Sequence, residues 1–512
     1  MKQIKTIGIV GAGAMGRGIA QIAAQAGFDV LLFDVNAQAV AAARENLQQM
    51  LEKLASKGKL TTDEAQAALG RIQACTDIQA MGQAQVVIEA IVERLEVKRE
   101  LFVQLEGIVS PECILASNTS SLSITAIAAA CAHPDRVAGY HFFNPVPLMK
   151  VVEVIDGLRT ERAVGDTLME LARQLGHAPV RAKDMPGFIV NHAGRGMNIE
   201  GLRIAQEAVA PFDQVDAIMR EQAGFRMGPF ELLDLTALDV SHPVMESIYH
   251  QFYDEPRFRP SPITAVRYAG GLLGRKTGEG FYRYVQGQQQ VPEQAAVPAA
   301  LEGLQVWLAP YHAVGHKRAS ALLKSLGVTA IASETPPDHA LIVVTPYGED
   351  TSSVVAAHQL DGERTVALET FFGLEPGRRR VLMCSPATLP KWRDAAHALL
   401  ASDGTAVSVI DDSAGLVAQR MVATIVNVAC DIAQQAIASP EDIDLAVSLG
   451  LGYPQGGPLR MGDALGAAHI LEILRAMYRV TGDSRYRASL WLQRRVQLGL
   501  SLRAESASSF MG

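Results

Sequence analysis

A histidine and a glutamate are the residues of this 512-residue chain best placed by type to move a proton. His141 follows the apolar run Val137-Ala138-Gly139-Tyr140 and precedes Phe142-Phe143-Asn144-Pro145-Val146-Pro147, whose two prolines stiffen the loop presenting the imidazole. Imidazole ionises near neutrality, which suits a general base. Glu153 lies inside Val151-Val152-Glu153-Val154-Ile155, a strand pattern that predicts a buried carboxylate. Such a carboxylate needs a partner. Either Lys150 supplies a salt bridge, or Glu153 pairs with His141, fixing its tautomer and raising its basicity. For His141 itself, the plainer alternative is a satisfied structural histidine.

Other polar groups stand at element ends. Ser117-Asn118-Thr119-Ser120-Ser121 follows Ile114-Leu115-Ala116, placing it at the carboxyl end of a strand, where open α/β sheets bind ligands. The same loop could instead cap a helix starting near Leu122. Asn191 is an amide among apolar residues in Pro186-Gly187-Phe188-Ile189-Val190-Asn191, from where it could reach back into a cleft.

The elements that position these groups begin at Ile7-Gly8-Ile9-Val10-Gly11-Ala12-Gly13-Ala14-Met15-Gly16, followed by Leu31-Leu32-Phe33-Asp34. Strand, glycine turn, helix, strand and acid form the layout of a dinucleotide-binding unit. Gly11 permits the tight turn, Gly13 admits a pyrophosphate, and Gly16 lets helix and strand pack closely. The helix after it aims its first N–H groups at the phosphates. Asp34 would accept the ribose hydroxyls, which favours NAD over NADP. Lys53, Lys57 and Lys59 form a cluster that is either solvated surface or a contact for the phosphates of coenzyme A.

Length predicts several domains. A net charge of −8 argues against nucleic acid as a partner. Five scattered cysteines, never in CxxC spacing, fit reduced thiols rather than disulfides or a metal site. A strand begins close to Met1 and there is no long charge-free apolar run, so the expectation is a cytoplasmic protein without a membrane partner.

The fold class expected is an α/β Rossmann dinucleotide-binding domain (1–185), then an all-α domain (186–285) and a linker (286–298). A degenerate α/β segment (299–408) and a second copy of the all-α domain (409–512) follow. The duplication rests on matched stretches. Asp184-Met185-Pro186-Gly187-Phe188-Ile189 answers to Asp412-Ser413-Ala414-Gly415-Leu416-Val417, and Val215-Asp216-Ala217-Ile218 to Ile443-Asp444-Leu445-Ala446. Gly228-Pro229-Phe230-Glu231 answers to Gly457-Pro458-Leu459-Arg460, and Arg257-Phe258-Arg259-Pro260-Ser261 to Arg485-Tyr486-Arg487-Ala488-Ser489. Cys384-Ser385-Pro386 is expected where Asn144-Pro145 stands in the first half. Gln419 aligns with Asn191, with no counterpart of His141 or Glu153, so the chemistry is expected in the first half.

Together these motifs resemble the L-3-hydroxyacyl-CoA dehydrogenase family over residues 1 to about 285, with Glu89-Ala90-Ile91-Val92-Glu93 and Gly228-Pro229-Phe230-Glu231 among the matching stretches. The resemblance implies NAD as cofactor and an acyl-CoA thioester as substrate. It implies His141 as catalytic histidine, Glu153 as its partner, and Ser120 and Asn191 as substrate contacts. Glu93, Lys98 and Asn144 would lie around the nicotinamide, beside Gly11, Gly13, Met15, Gly16 and Asp34, and Lys57, with Lys53 nearby, would meet coenzyme A. The long form resembles bacterial enzymes that oxidise 3-hydroxyadipyl-CoA in phenylacetate breakdown. A 3-hydroxybutyryl-CoA dehydrogenase and a non-catalytic NAD-binding sensor or structural protein are the alternatives. Short relatives resemble homodimers, so the second half is expected to make an internal pseudo-dimer, with a homodimer also open.

Overall fold

Thr6–Val10 (β1) is apolar enough to be covered on both faces, and Ile7 and Ile9 are fully buried. In the computed structural model, which describes residues 4–505, it is a central strand of an eight-stranded sheet. The others are Asp29–Phe33 (β2), Ile72–Cys75 (β3), Val86–Glu89 (β4), Ile114–Ser117 (β5), Val137–Phe142 (β6), Val151–Asp156 (β7) and Ala178–Lys183 (β8). Their order is β3-β2-β1-β4-β5-β6-β7-β8, parallel throughout except for β6 against β7. The strand order turns back between β1 and β4, so a crevice opens beyond their carboxyl ends. Gly11 follows β1 at φ +110°, and a Cβ there would overlap the carbonyl oxygen of Ala90, which follows β4.

The helix after the glycine turn spans Ala14–Gln25 with Gly13 as N-cap. Its small, alanine-rich buried face lets it lie close to the sheet, with Ile19, Ala20 and Ala23 against Ile9, Val30 and Leu32 in one core.

By compactness the described residues divide into two units, 4–192 with 435–451 and 505, and 193–434 with 452–504. The first unit therefore takes in the helix Pro440–Leu451, which packs on β7 and β8. Lys183 N–H donates to the carbonyl of Ile437 just before it (2.8 Å). The end of the expected second helical copy, residues 506–512, lies outside the described residues.

The second unit holds a small hairpin, Arg283–Val285 (β9) with Gln288–Gln290 (β10), and a five-stranded sheet of Gln305–Leu308 (β11), Ala340–Val344 (β12), Thr365–Leu368 (β13), Arg380–Cys384 (β14) and Val407–Asp411 (β15). The hairpin corrects the start of the expected linker. Gln286 and Gly287, both at positive φ, make a tight turn, and the glutamines that follow pair back on Arg283–Val285. The five strands lie in the order β11-β12-β13-β14-β15 and are parallel except for β13 against β14. These are the order and senses of β4–β8, and among the described residues no strand lies beyond β11 to match β1–β3. By strand order Cys384, which ends β14, corresponds to the end of β7 rather than to Asn144 after β6, correcting that correspondence. Among the described residues no helix is long and apolar enough to cross a membrane.

Two buried carboxylates tie the helical region after residue 193 together. Asp216 accepts from Phe230 N–H, Glu231 N–H and the Tyr282 hydroxyl (3.0, 3.0 and 2.6 Å). Asp234 accepts from Phe281 N–H, Tyr282 N–H and the Tyr284 hydroxyl. Burial pushes the Asp216 carboxyl up to about 8, helped by the negative Glu231 and opposed by these hydrogen bonds.

Candidate active site

His141 and Glu153 are direct partners across the antiparallel β6–β7 ladder. Residues paired this way project to the same face with their Cβ atoms close together. His141 Nδ1 lies 2.6 Å from Glu153 Oε2. A carboxylate only accepts, so Nδ1 carries the proton and Nε2 is left as the basic nitrogen. Lys150 is not the partner of Glu153; the pair is His141 with Glu153. Phe143 and Phe188 flank the imidazole, with ring centroids 4.4 and 5.9 Å away.

The other oxygen of Glu153 accepts from Ile189 N–H and Val190 N–H, both at 2.9 Å. These amides open the helix Val190–Gln206. A turn with Gly187 at φ +74° and Phe188 at φ +47° aims them at the sheet. The left-handed conformation is costly for phenylalanine and persists because the surrounding packing imposes it. A helix N-terminus favours an adjacent negative charge by up to ~2 kcal/mol in partly buried settings.

Asn191 follows on the same helix, and its Nδ2 donates to the Ser120 carbonyl (3.2 Å). Ser120 thus meets the helix that supports Glu153. The loop is held from its other side by Glu93. Glu93 Oε1 accepts from the Thr119 hydroxyl (2.6 Å), Ser120 N–H (2.9 Å) and Ser121 N–H (3.1 Å). Burial would raise the Glu93 carboxyl, but the Lys98 ammonium and these donors outweigh it and hold it below the usual carboxylate range.

Lys98 is 1% exposed, with its ammonium 2.5 Å from Glu89 Oε1 and 3.3 Å from Glu93 Oε2. Glu89 is fully buried and also accepts from the Ser117 hydroxyl (2.6 Å) and Ile91 N–H (2.8 Å). Sequence reasoning passed over Glu89, although an acid ending the apolar run Val86-Val87-Ile88 is the signal that could have found it. It also passed over Asp184, whose carboxylate accepts from the Ser123 hydroxyl, Ile124 N–H and Thr125 N–H. These bonds cap the helix Ile124–Ala128, which starts two residues later than expected. The capping half of the serine-loop reading thus falls on Ser123 and Asp184.

The glycine turn has the shape a pyrophosphate needs. A Cβ on Gly16 would overlap the Gly11 carbonyl, whereas one on Gly13 would meet nothing within 4 Å. Gly13 therefore leaves an open approach to the helix N-terminus, and the cradle fits a dinucleotide. Met15 sits half-buried in the first turn of that helix. Asp34 Oδ2 accepts from Ala12 N–H (2.8 Å) and Oδ1 from Asn36 N–H (2.9 Å). A carboxylate keeps further lone pairs for ribose hydroxyls. Asn144 is exposed on the loop after β6, and Lys53 and Lys57 are exposed at the end of the helix Ala37–Ser56. No described contact joins these three to His141.

Comparison with known proteins places the chain in a family. Residues 6–185 match the NAD binding domain of 3-hydroxyacyl-CoA dehydrogenase. Residues 187–284 and 415–510 each match the C-terminal domain of the same family. The chain is 38% identical over 500 residues to the 3-hydroxyadipyl-CoA dehydrogenase of Escherichia coli, covering 97% of this chain and 98% of that one. It is 44% identical to a probable 3-hydroxybutyryl-CoA dehydrogenase of Deinococcus radiodurans, over 54% of this chain and 99% of the relative. A crystal structure of an E. coli 3-hydroxybutyryl-CoA dehydrogenase superposes with a TM-score of 0.85 at 36% identity, covering 97% of this chain and 99% of that one. By sequence over almost its whole length and by the architecture of its NAD-binding half, the chain belongs to the 3-hydroxyacyl-CoA dehydrogenase family.

Proposed function

We propose that this NAD-dependent dehydrogenase oxidises the 3-hydroxyl of a dicarboxylic acyl-CoA of the 3-hydroxyadipyl type. The observation that carries the chemistry is the buried His141–Glu153 pair, set one hydrogen bond from the helix that bears Asn191. His141 Nε2 takes the hydroxyl proton, and Glu153 Oε2 steadies the imidazolium through Nδ1. Asn191 and Ser120 orient the reacting oxygen. Gly11, Gly13, Met15, Gly16 and Asp34 hold the dinucleotide, and bound NAD supplies the acceptor for the hydride that leaves C3. Glu93 anchors the serine loop, Lys98 keeps Glu93 charged from a buried position, and Asn144 flanks the nicotinamide. Lys53 and Lys57 are the cations offered to the phosphates of coenzyme A.

The 3-hydroxyadipyl assignment leans on the full-length E. coli relative of that name. A second reading, a 3-hydroxybutyryl-CoA substrate, is favoured by the solved E. coli structure of equal span. NADH oxidation separates them: acetoacetyl-CoA, 3-oxoadipyl-CoA and free acetoacetate are compared on the purified protein. Faster turnover of 3-oxoadipyl-CoA supports the first reading and faster acetoacetyl-CoA the second. Activity on free acetoacetate alone, or none with NADH still bound, overturns both and leaves a free-acid enzyme or an NAD-binding sensor.

The second half (299–512) is read as a decayed duplicate of the first. Support comes from the shared strand order and from Asp412, which accepts from Thr351 N–H, Ser352 N–H and the Ser352 hydroxyl as Asp184 does from its own capped turn. Gly415 and Leu416 repeat the left-handed pair Gly187 and Phe188. Within the second unit, Gly196 lies so close to Ile425 that a Cβ would stand 2.9 Å from its Cα, and Arg420 Nε donates to Glu200 Oε1 (2.5 Å). Such close helix pairing supports an internal pseudo-dimer of the helical segments. Removing residues 299–512 would then yield a dimer or an aggregate; a soluble active monomer overturns this.

A further inference from the structure

The second sheet borders a cavity of about 670 Å³, a volume usual for small-molecule sites. It opens past the carboxyl ends of β11 and β12, where Ala309, Val344 and Thr345 line it. That is the edge at which open α/β sheets bind ligands. The opposite wall is one face of the helix Ala467–Thr481, with Leu471, Arg475 and Arg479 at helical spacing. None of its lining residues takes part in the His141 chemistry.

Its surfaces differ in kind from floor to mouth. The walls are flat rings: His312 stacks on Tyr347 at 3.8 Å, and Tyr311 lies parallel to His358 at 3.5 Å. On the floor, Thr345 is 4% exposed, with its hydroxyl oxygen turned against Gly315 and closed off from the cavity. At the mouth, Arg479 pairs with Glu349 (2.7 Å), and Glu472 lies 3.6 Å from His312. Arg475, one turn from Arg479, is exposed and has no ion-pair partner among the described residues. Two arginines in that relation suit a phosphate, whose oxygens match the guanidinium fork.

We propose that this cavity is a second ligand site, for a purine nucleoside monophosphate. The base lies on the tyrosine and histidine faces, and the phosphate is held by Arg475 and Arg479. A dinucleotide is excluded because β11 is an edge strand. Among the described residues no strand or glycine turn lies beyond it to carry a second nucleotide.

AMP is the probe, titrated by calorimetry into the full-length protein with its dinucleotide site saturated by NADH. The expected result is one AMP per chain, with adenosine and inorganic phosphate each binding at least roughly tenfold more weakly. Arg475→Glu should weaken AMP by roughly tenfold or more, and Arg475→Gln by less, because only the first adds a repelling charge. Circular dichroism checks that both variants fold. Tyr311→Ala should weaken AMP severalfold while leaving phosphate unchanged. Absence of AMP binding once NADH is bound, wild-type affinity in the folded Arg475→Glu protein, or benzoate binding as tightly as AMP would each overturn the proposal.

Discussion

His141 and Glu153 stand opposite one another in the β6–β7 pair, with Nδ1 2.6 Å from Oε2. The antiparallel sense matters. In a parallel ladder the partners are slanted past each other, whereas here the two side chains leave the same face at the same level. Glu153 then spends its remaining oxygen on two helix amides, so the glutamate that meets His141 also ties the sheet to the helix carrying Asn191.

Replacing Glu153 by glutamine should lower kcat by about 10²–10⁴-fold, because the amide neither holds the imidazolium nor secures its tautomer. His141→Ala should abolish turnover. In both variants NADH affinity, read by fluorescence titration, should stay within about twofold, since neither residue belongs to the glycine turn. Near-normal kcat in Glu153→Gln, with an unmoved pH profile, would show that the pairing is structural only.

Gly13→Val should leave the melting temperature almost unchanged, because a Cβ there meets nothing. It should nevertheless weaken NADH by roughly tenfold or more by filling the approach to the helix N-terminus. Unaltered NADH affinity would place the cofactor elsewhere.

Lys98→Met should destabilise the protein by about 3–5 kcal/mol, since it strands the fully buried Glu89. Adding Glu89→Gln should restore a large part of that loss, as urea melts of single and double variants would reveal. The lowered Glu93 carboxyl also gives an acid-side signature. Its stabilising contribution is present above the ordinary value of 4.5 and is lost as pH falls through the lower folded value. Lys98→Met should shrink that acid-range loss. Strict additivity in the cycle would rule out the coupling.

Asp216 works in the opposite direction. Its folded carboxyl titrates at about 8 against an ordinary 3.8, so between those values the unfolded chain has released a proton that the folded chain keeps. Stability from this group therefore falls as pH rises from about 4 to about 8 and is flat outside that window. Asp216→Asn should flatten the dependence of melting temperature on pH there, at the cost of one acceptor for its three donors. An unchanged slope would remove Asp216 as the cause.

Much of the first unit was legible in residue patterns. The runs at β1, β5 and β7 are short, apolar and bounded by turns, which is how buried strands read. Glycines at fixed offsets announced the turn after β1. Less legible was anything that depends on which polar atom finds which partner. Glu89 and Asp184 look like ordinary acids in the chain, and only their buried donors single them out. The glutamine-rich stretch after Tyr284 has the composition of a linker, yet backbone pairing folds its start into a hairpin, because ladder bonds do not depend on side-chain character.

The sequence by itself determined the nucleotide turn, the two strands that bear His141 and Glu153, and the matched helical segments, since periodicity and glycine placement are local properties. Tertiary structure decided that Glu153 faces His141 rather than Lys150, that Glu93 and Lys98 brace the serine loop, and that the helix Pro440–Leu451 packs on β7 and β8. Each of these joins groups brought together by strand register and packing. Distance along the chain carries no signal of such meetings, because hydrogen bonds and buried charges select their partners in space.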